Sequence, residues 1–345
     1  MPVISVLLPA YNHEPYIGST VNSLLRQQVS DIEILAVDDG SIDRTGDILD
    51  NLAKKDVRLR VFHKKNEGVA AALNFALEQA RGTWIASCGS DDVVPSAAYR
   101  SMLKKGRRAD VVIGEFSEID DIGRKTRVRL SFGKSCFSAL FAMPSMWNKL
   151  IRRSVFLDAG LSFSNVLLCE DLILLAQIAA VHPRYATLKR DVYHYRNDST
   201  SYRSMTHCHT PEYIHAHVAG RKTVAEICAA AGMTEGFRYV YQDSLPFLAD
   251  LIQHLPAGGQ AELVFQEVCE FLAAGGGYIK EEQFRQVFMT PLDSFLHNTH
   301  RHYLQIISQV PHEEIVLEKF RSGGIGLQFA LRCIRAWAAY KLDRI

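Results

Sequence analysis

Apolar positions along the first third of the chain alternate between two periods. Residues 4–11, ISVLLPAY, are almost unbroken apolar, as in a strand covered on both faces, and Ile17, Val21, Leu24 and Leu25 then recur at helical spacing. The pattern predicts a strand followed by a helix. Residues 32–41, IEILAVDDGS, repeat the strand pattern, and Ser41 is a candidate N-cap ahead of a helical face marked by Ile48, Leu49 and Leu52. LRVFHKKNEG (59–68) reads as a third strand and turn, GVAAALNFALEQA (68–80) as an alanine-rich helix, and TWIASCGSDD (83–92) as a fourth strand. Strands alternating with helices predict an α/β fold with a mostly parallel sheet flanked by helices, whose ligands bind beyond the carboxyl ends of the strands.

Further along, FSEIDDIGRKTRVRL (116–130) reads as a hairpin around a polar turn at 121–123, with Ile119 and Val128 on its strands. Glu170 and Asp171 precede Leu172, Ile173, Leu174, Leu175 and Ile178, which places the acid pair at the start of a helix. VYHYRNDSTS (192–201) reads as a strand ending at Tyr195 and a polar loop. Beyond residue 205 helical stretches dominate (223–231, 247–255, 263–274, 283–288), broken by AGG at 257–259 and GGG at 275–277. Two parts are expected: an α/β domain over 1–205 and a helical region over 206–345.

Composition narrows the class of protein. The 345 residues are 48% hydrophobic and 22% charged with a formal net charge of +1, an ordinary globular balance without the basic surplus of a nucleic-acid binder. No nucleic-acid partner is expected. Seven scattered cysteines without a C-x-x-C pair suit a reducing compartment, and MPVISVLLPAYNHEPY lacks the basic start of a signal peptide, so the expected location is cytoplasmic.

The polar residues trailing the predicted strands carry the candidate chemistry: Pro9-Ala10-Tyr11-Asn12, Asp38-Asp39-Gly40-Ser41, Lys65-Asn66-Glu67-Gly68 and Ser90-Asp91-Asp92. Neither G-x-G-x-x-G nor a P-loop is present. Adjacent carboxylates such as Asp91 and Asp92 repel and ask for solvent or a cation, and Mg2+ or Mn2+ commonly bridges an acid to a nucleotide diphosphate. Taken singly, Asp91-Asp92 is a solvated turn ahead of Pro95 and Glu170-Asp171 is helix capping; their order along the chain favours function.

The succession VSVLLPAYN-like SVLLPAYN, VDDGS, NEG, SDD and a late Glu170-Asp171 resembles glycosyltransferase family 2, inverting enzymes of the Rossmann-like GT-A fold that build bacterial polysaccharides and glycoconjugates. The resemblance covers residues 1–205. It implies that Pro9, Ala10 and Tyr11 flank a nucleobase, that Asp39 accepts a hydrogen bond from it, and that Asn66 and Gly68 belong to the donor side. It further implies that Asp92 ligates a divalent cation with Asp91 near the donor sugar, and that Asp171 is the general base with Glu170 assisting. An acid at Asp39 suits the N–H of uracil, so a UDP-sugar is the expected donor and a glycan or lipid-linked glycan the expected acceptor. Two departures stand out: Gly89 occupies the first acidic place of D-x-D-D, and Ala72-Leu73-Asn74 replaces A-R-N.

MPSMWNKLIRRSVF (143–156) resembles the family's W-x-K-L-x-R segment, where Trp147 either faces an acceptor sugar or packs in the core. Arg196 is a candidate diphosphate contact, and His194 a candidate third metal ligand against the commoner packed histidine. His207, His209, His215 and His217 lack the cysteine spacing of a zinc site. Leu327, Leu331, Ile334, Ala338, Leu342 and Ile345 form a helical stripe, and Arg321, Arg332, Arg335, Lys341 and Arg344 stand against Asp343. Residues 321–345 thus offer peripheral contact with the inner face of a membrane, or packing on the same chain or in a homo-oligomer. A nucleotidyltransferase wants a glycine-rich, basic first loop, which PAYNHEPY is not; a non-catalytic sugar-nucleotide binder would tolerate loss of the base.

Overall fold

The computed structural model describes residues 2–120, 123–197, 210–244, 247–248, 267–268, 271 and 274. The chain divides into two units, Met1–Ser204 and Met205–Ile345. In the first, β1 (Ile4–Ala10), β2 (Ile32–Asp38), β3 (Leu59–His63) and β4 (Trp84–Ser87) alternate with α1 (Glu14–Leu25), α2 (Thr45–Ala53) and α3 (Val69–Gln79), as the apolar periods predict. Then come α4 (Ala98–Lys105), β5 (Val111–Ile119), β6 (Lys125–Val128), α5 (Cys136–Leu140), β7 (Lys149–Arg152), α6 (Arg153–Ala159), α7 (Glu170–Ala180) and β8 (Tyr185–Arg196).

These strands form one eight-stranded sheet in the order β3-β2-β1-β4-β7-β5-β6, with β8 added beside β5. β1 to β4 run parallel, β7 is antiparallel to β4 and β5, and β8 is parallel to β5. After β1 the chain builds outward on one side through β2 and β3, then crosses to place β4 on the other. The β1/β4 boundary is therefore the switch point at whose carboxyl edge an α/β sheet opens a crevice.

Burial explains the sequence pattern. Ile4, Val6, Leu7 and Leu8 of β1 and Ile34, Leu35, Ala36 and Val37 of β2 are all wholly buried, because helices cover both faces. Ile17, Val21 and Leu24 form the inward stripe of α1. The hairpin of β5 and β6 pairs Phe116 with Val128 and Ile119 with Lys125. Ser41 does not cap α2: its Oγ accepts from Asn12 N at 3.0 Å, and Asp43 Oδ1 accepts from Thr45 N at 2.9 Å at the helix start instead.

The second unit begins with α8 (Pro211–Ala230), capped by the Thr210 hydroxyl, which accepts from Tyr213 N at 3.3 Å; α9 (Thr234–Phe237) and a wide helical turn (Arg238–Asp243) follow. The helix expected at 223–231 is thus the end of a longer one. Most of 247–255 and 263–274, and all of 283–288, His207, His209 and 321–345, lie outside the described residues. His215 pairs with Glu267 at 2.7 Å and His217 packs against Tyr213 and Phe247. Among the described residues no helix is long and apolar enough to cross a membrane.

Candidate active site

The strand ends converge at the switch point. Ala10 is buried while Tyr11, one residue past β1, is 45% exposed at the crevice edge. Asn12 takes a left-handed conformation (φ 53°) from which its Oδ1 accepts Ile42 N at 2.9 Å, tying the end of β1 to the loop after β2. Asp39 is 4% exposed, and its two oxygens accept the backbone N–H groups of Glu67 (3.0 Å) and Gly68 (2.8 Å). One carboxylate thereby fixes the Asn66–Gly68 turn over the end of β2, each oxygen keeping a further lone pair. Gly40 lies beneath that turn: at φ 77° a Cβ there would come 2.8 Å from Asn66 N.

Across the crevice, Asp92 is almost wholly buried. Its Oδ2 accepts from the Tyr193 hydroxyl at 2.6 Å and its Oδ1 from Arg196 N at 2.7 Å. Burial and the neighbouring Asp91 charge push its pKa up to about 7, against the help of these donors. The Arg196 guanidinium donates from Nε to Asp91 O at 2.9 Å and lies 4.6 Å from the Tyr16 ring centre, so it is held at the acid turn by the strand and by α1. His13 Nδ1 hydrogen-bonds Ser90 Oγ, joining α1 to the same turn. Gly89 fills the place of the missing acid, where a Cβ would come 2.6 Å from Asp92 Oδ2.

His194 does not join the acid pair. Successive strand residues face opposite sides, and Tyr193 and Tyr195 take the side of Asp92 and Trp147. His194 turns away, its Nε2 3.0 Å from Asp191 Oδ2, which also accepts Ser117 Oγ at 2.7 Å. Among the described residues no group of three potential ligands gathers. The Asp91-Asp92 pair nevertheless fits a hard divalent cation: burial and the neighbouring Asp91 charge raise Asp92 despite the opposing Arg196 charge, so the pair is under-compensated, and Mg2+-type ions at nucleotide sites take one or two carboxylates, with phosphate oxygens and water completing the shell.

Glu170 and Asp171 open α7 behind Cys169, itself in the left-handed region (φ 73°). Asp171 Oδ2 accepts from Met146 N at 2.9 Å. Burial raises Asp171 to about 6 and, with the Asp171 charge beside it, Glu170 to about 7. Asn74 anchors the approach to this helix start by a reciprocal pair with the Phe163 backbone, both bonds 2.8 Å.

Residues 146 and 147 link the two acid pairs. Met146 offers its N–H to Asp171, and Trp147 stacks on Tyr193 (4.5 Å, 19°) and Tyr195 (5.8 Å, 13°) with Phe116 against its edge. Trp147 is therefore packed on the core through one face while remaining partly exposed. Sequence reasoning missed Tyr193, whose hydroxyl holds Asp92, and Lys149, which is 1% exposed and donates to Met143 O, Ser145 O and Asn148 Oδ1. A lysine inside the apolar run of W-x-K-L-I was the available signal.

Comparisons with known proteins agree with this architecture. The family model "Glycosyl transferase family 2" matches residues 5–161. The uncharacterized glycosyltransferase EpsJ of Bacillus subtilis is 43% identical over 108 residues, 31% of each chain. The chain spans between 31% and 50% of the lengths of the curated relatives it matches first. The structure is similar to Staphylococcus aureus TarS 1-349 in complex with UDP (TM-score 0.54, 17% identity, 99% of this chain and 92% of that one). It is likewise similar to the mannosyltransferase PcManGT of Pyrobaculum calidifontis in complex with GDP-Man and Mn2+ (TM-score 0.54, 14% identity, 100% and 88%). At such identity the structural likeness speaks to the fold, which is GT-A, and the sequence match over the first four strands and beyond speaks to ancestry. Residues 5–161 carry a glycosyltransferase family 2 domain.

Proposed function

We propose that the chain is an inverting glycosyltransferase that moves a sugar from a nucleotide-diphosphate donor, read as a UDP-sugar, to a hydroxyl of a glycan or lipid-linked glycan. One observation carries the reading: two buried acids with raised pKa values, Asp92 and Asp171, are linked through consecutive residues of a single segment, Asp171 accepting from Met146 N and Asp92 from the Tyr193 hydroxyl, whose ring stacks on Trp147. Carboxyls tuned upward in a cleft suit cation binding and general-base work.

In this reading Pro9, Ala10 and Tyr11 flank the base, Asp39 receives its N–H, and Asn66 and Gly68 border the donor. Arg196 faces the diphosphate, and Asp91 and Asp92 hold Mg2+ or Mn2+. A cation held there would supply positive charge against the departing diphosphate. Asp171 takes the proton of the acceptor hydroxyl as its oxygen forms a bond to the anomeric carbon, and the bond from that carbon to the diphosphate oxygen breaks on the opposite face. Glu170 positions the acceptor or its neighbour, and the exposed part of Trp147 meets the acceptor sugar. The UDP of the TarS complex and the GDP-Man and Mn2+ of the PcManGT complex support a nucleotide-sugar donor and a cation. Free cysteines among the described residues agree with action in a reducing, cytoplasmic compartment, where membrane contact through 321–345 would bring a lipid-linked acceptor within reach.

The test is a panel of UDP- and GDP-sugars measured for binding and slow hydrolysis with Mn2+, Mg2+ or EDTA. Cation-dependent binding and hydrolysis of UDP-sugars is expected; cation-independent binding of every nucleotide alike, without hydrolysis, would overturn the reading.

A further inference from the structure

We infer that Lys149 is a positioning residue for Asp171, acting through the loop of residues 143–146 that its ammonium ties down and through its charge. The inference rests on the reading of Asp171 as general base.

Lys149 is the one buried lysine among the described residues. Its Nζ donates to Met143 O (2.6 Å), Ser145 O (2.6 Å) and Asn148 Oδ1 (2.8 Å). Three acceptors match the three protons of an ammonium, whereas a neutral amine would leave one unmet. The platform beneath is fixed too: Asn148 Nδ2 donates to Gly114 O at 2.8 Å, and Gly114 N to Asn148 O at 3.0 Å, so the lysine is referenced to β5. Two of the carbonyls it grips, at 143 and 145, lie just ahead of Met146, whose N–H holds Asp171 at 2.9 Å.

All three ammonium acceptors are neutral oxygens, so no carboxylate cancels the charge at contact distance; burial pulls the Lys149 pKa down to about 7 against the Asp171 charge, which still leaves the cation dominant where Asp171 titrates, near 6. Burying such a cation costs free energy that an apolar side chain would avoid, and a scaffolding role alone does not need it. The titratable groups facing Asp171 are Glu170, beside it on α7, and Lys149, from β7. Burial disfavours the Asp171 carboxylate, while the Met146 N–H and the Lys149 charge favour it, a counterweight that keeps a proton-accepting form within reach near neutrality.

Lys149→Gln keeps donors for the loop and removes the charge; Lys149→Met removes both and, being the harsher change, is the one at risk of misfolding. The measurement is the carboxyl 13C titration of Asp171 in the full chain, assigned with Asp171→Asn, alongside circular dichroism, UDP binding and the pH profile of UDP-sugar hydrolysis. The Asp171 midpoint should rise by about one unit in Lys149→Gln, and the acid limb of hydrolysis should rise with it while UDP affinity stays within about twofold. A folded Lys149→Gln with an unmoved Asp171 midpoint would overturn the proposal. A raised midpoint combined with undiminished transfer in Asp171→Asn would uphold the positioning and overturn the assignment of the base.

Discussion

The Tyr193 hydroxyl donates to Asp92 Oδ2 at 2.6 Å while accepting the Gly89 N–H at 2.9 Å. It is the middle of a chain running from the turn backbone to the buried acid. Removing it in Tyr193→Phe leaves the Gly89 N–H and the carboxylate each short of a partner, at a cost of about 1–3 kcal/mol. Chemical denaturation should show that loss, and cation-dependent UDP affinity should fall by more than in a Tyr195→Phe control.

Gly89 leaves no room for a side chain, since a Cβ would stand 2.6 Å from Asp92 Oδ2 and 3.1 Å from Asp91 Oδ1. Gly89→Ala should therefore displace the acids and weaken Mn2+-dependent UDP binding about tenfold or more, equivalent to 1.4 kcal/mol, with little change in circular dichroism. Isothermal titration with and without EDTA checks this.

Stability should fall with rising pH in the absence of cation. Burial lifts the carboxyls of Asp92 and Glu170 to about 7 and of Asp171 to about 6, above their unfolded values. Between roughly pH 4 and 7 the native chain then binds more protons than the unfolded one, so ΔG of unfolding declines as pH rises. His63, raised by Asp38 at 2.9 Å and Asp50 at 3.1 Å, acts in the same direction from its unfolded pKa upward. The carboxylates lowered by partners, such as Asp56 and Asp110, act only at lower pH. His217, lowered by burial to about 3, opposes the decline below its unfolded pKa, and Lys149, lowered by burial to about 7, opposes it above pH 7. Thermal melts from pH 5 to 7 should show the net decline left by the three carboxyls, and His63→Gln should flatten its upper part.

Transfer or hydrolysis should rise with pH through the Asp171 range near 6, because a base must be unprotonated. Asp171→Asn should lower turnover by about 100-fold or more while nucleotide binding persists; a pH profile without an acid limb would argue against this carboxyl.

The strands, their order along the chain and the strand-end clusters were legible because buried parallel strands write themselves as apolar runs and their polar residues follow at once. The order β4-β7-β5-β8 was not, since pairing between segments more than sixty residues apart, as in β4 with β7, leaves no local period. The place of His194 was legible in the sequence: Tyr193 and Tyr195 alternate with it along the strand, which sets the imidazole on the opposite side, against Asp191. Lys149 and Tyr193 were passed over because a lysine in an apolar run and a tyrosine in a strand look like packing until their partners are known. Ser41 had cap chemistry, but the Asn12 backbone claims its hydroxyl.

The central claim is that a divalent cation joins Asp92 to the nucleotide diphosphate. Calorimetric titration of UDP into wild type and Asp92→Ala, each with Mn2+ and with EDTA, tests it most directly. The account predicts tight binding only for wild type with Mn2+; equal affinity of Asp92→Ala and wild type in Mn2+ would contradict it.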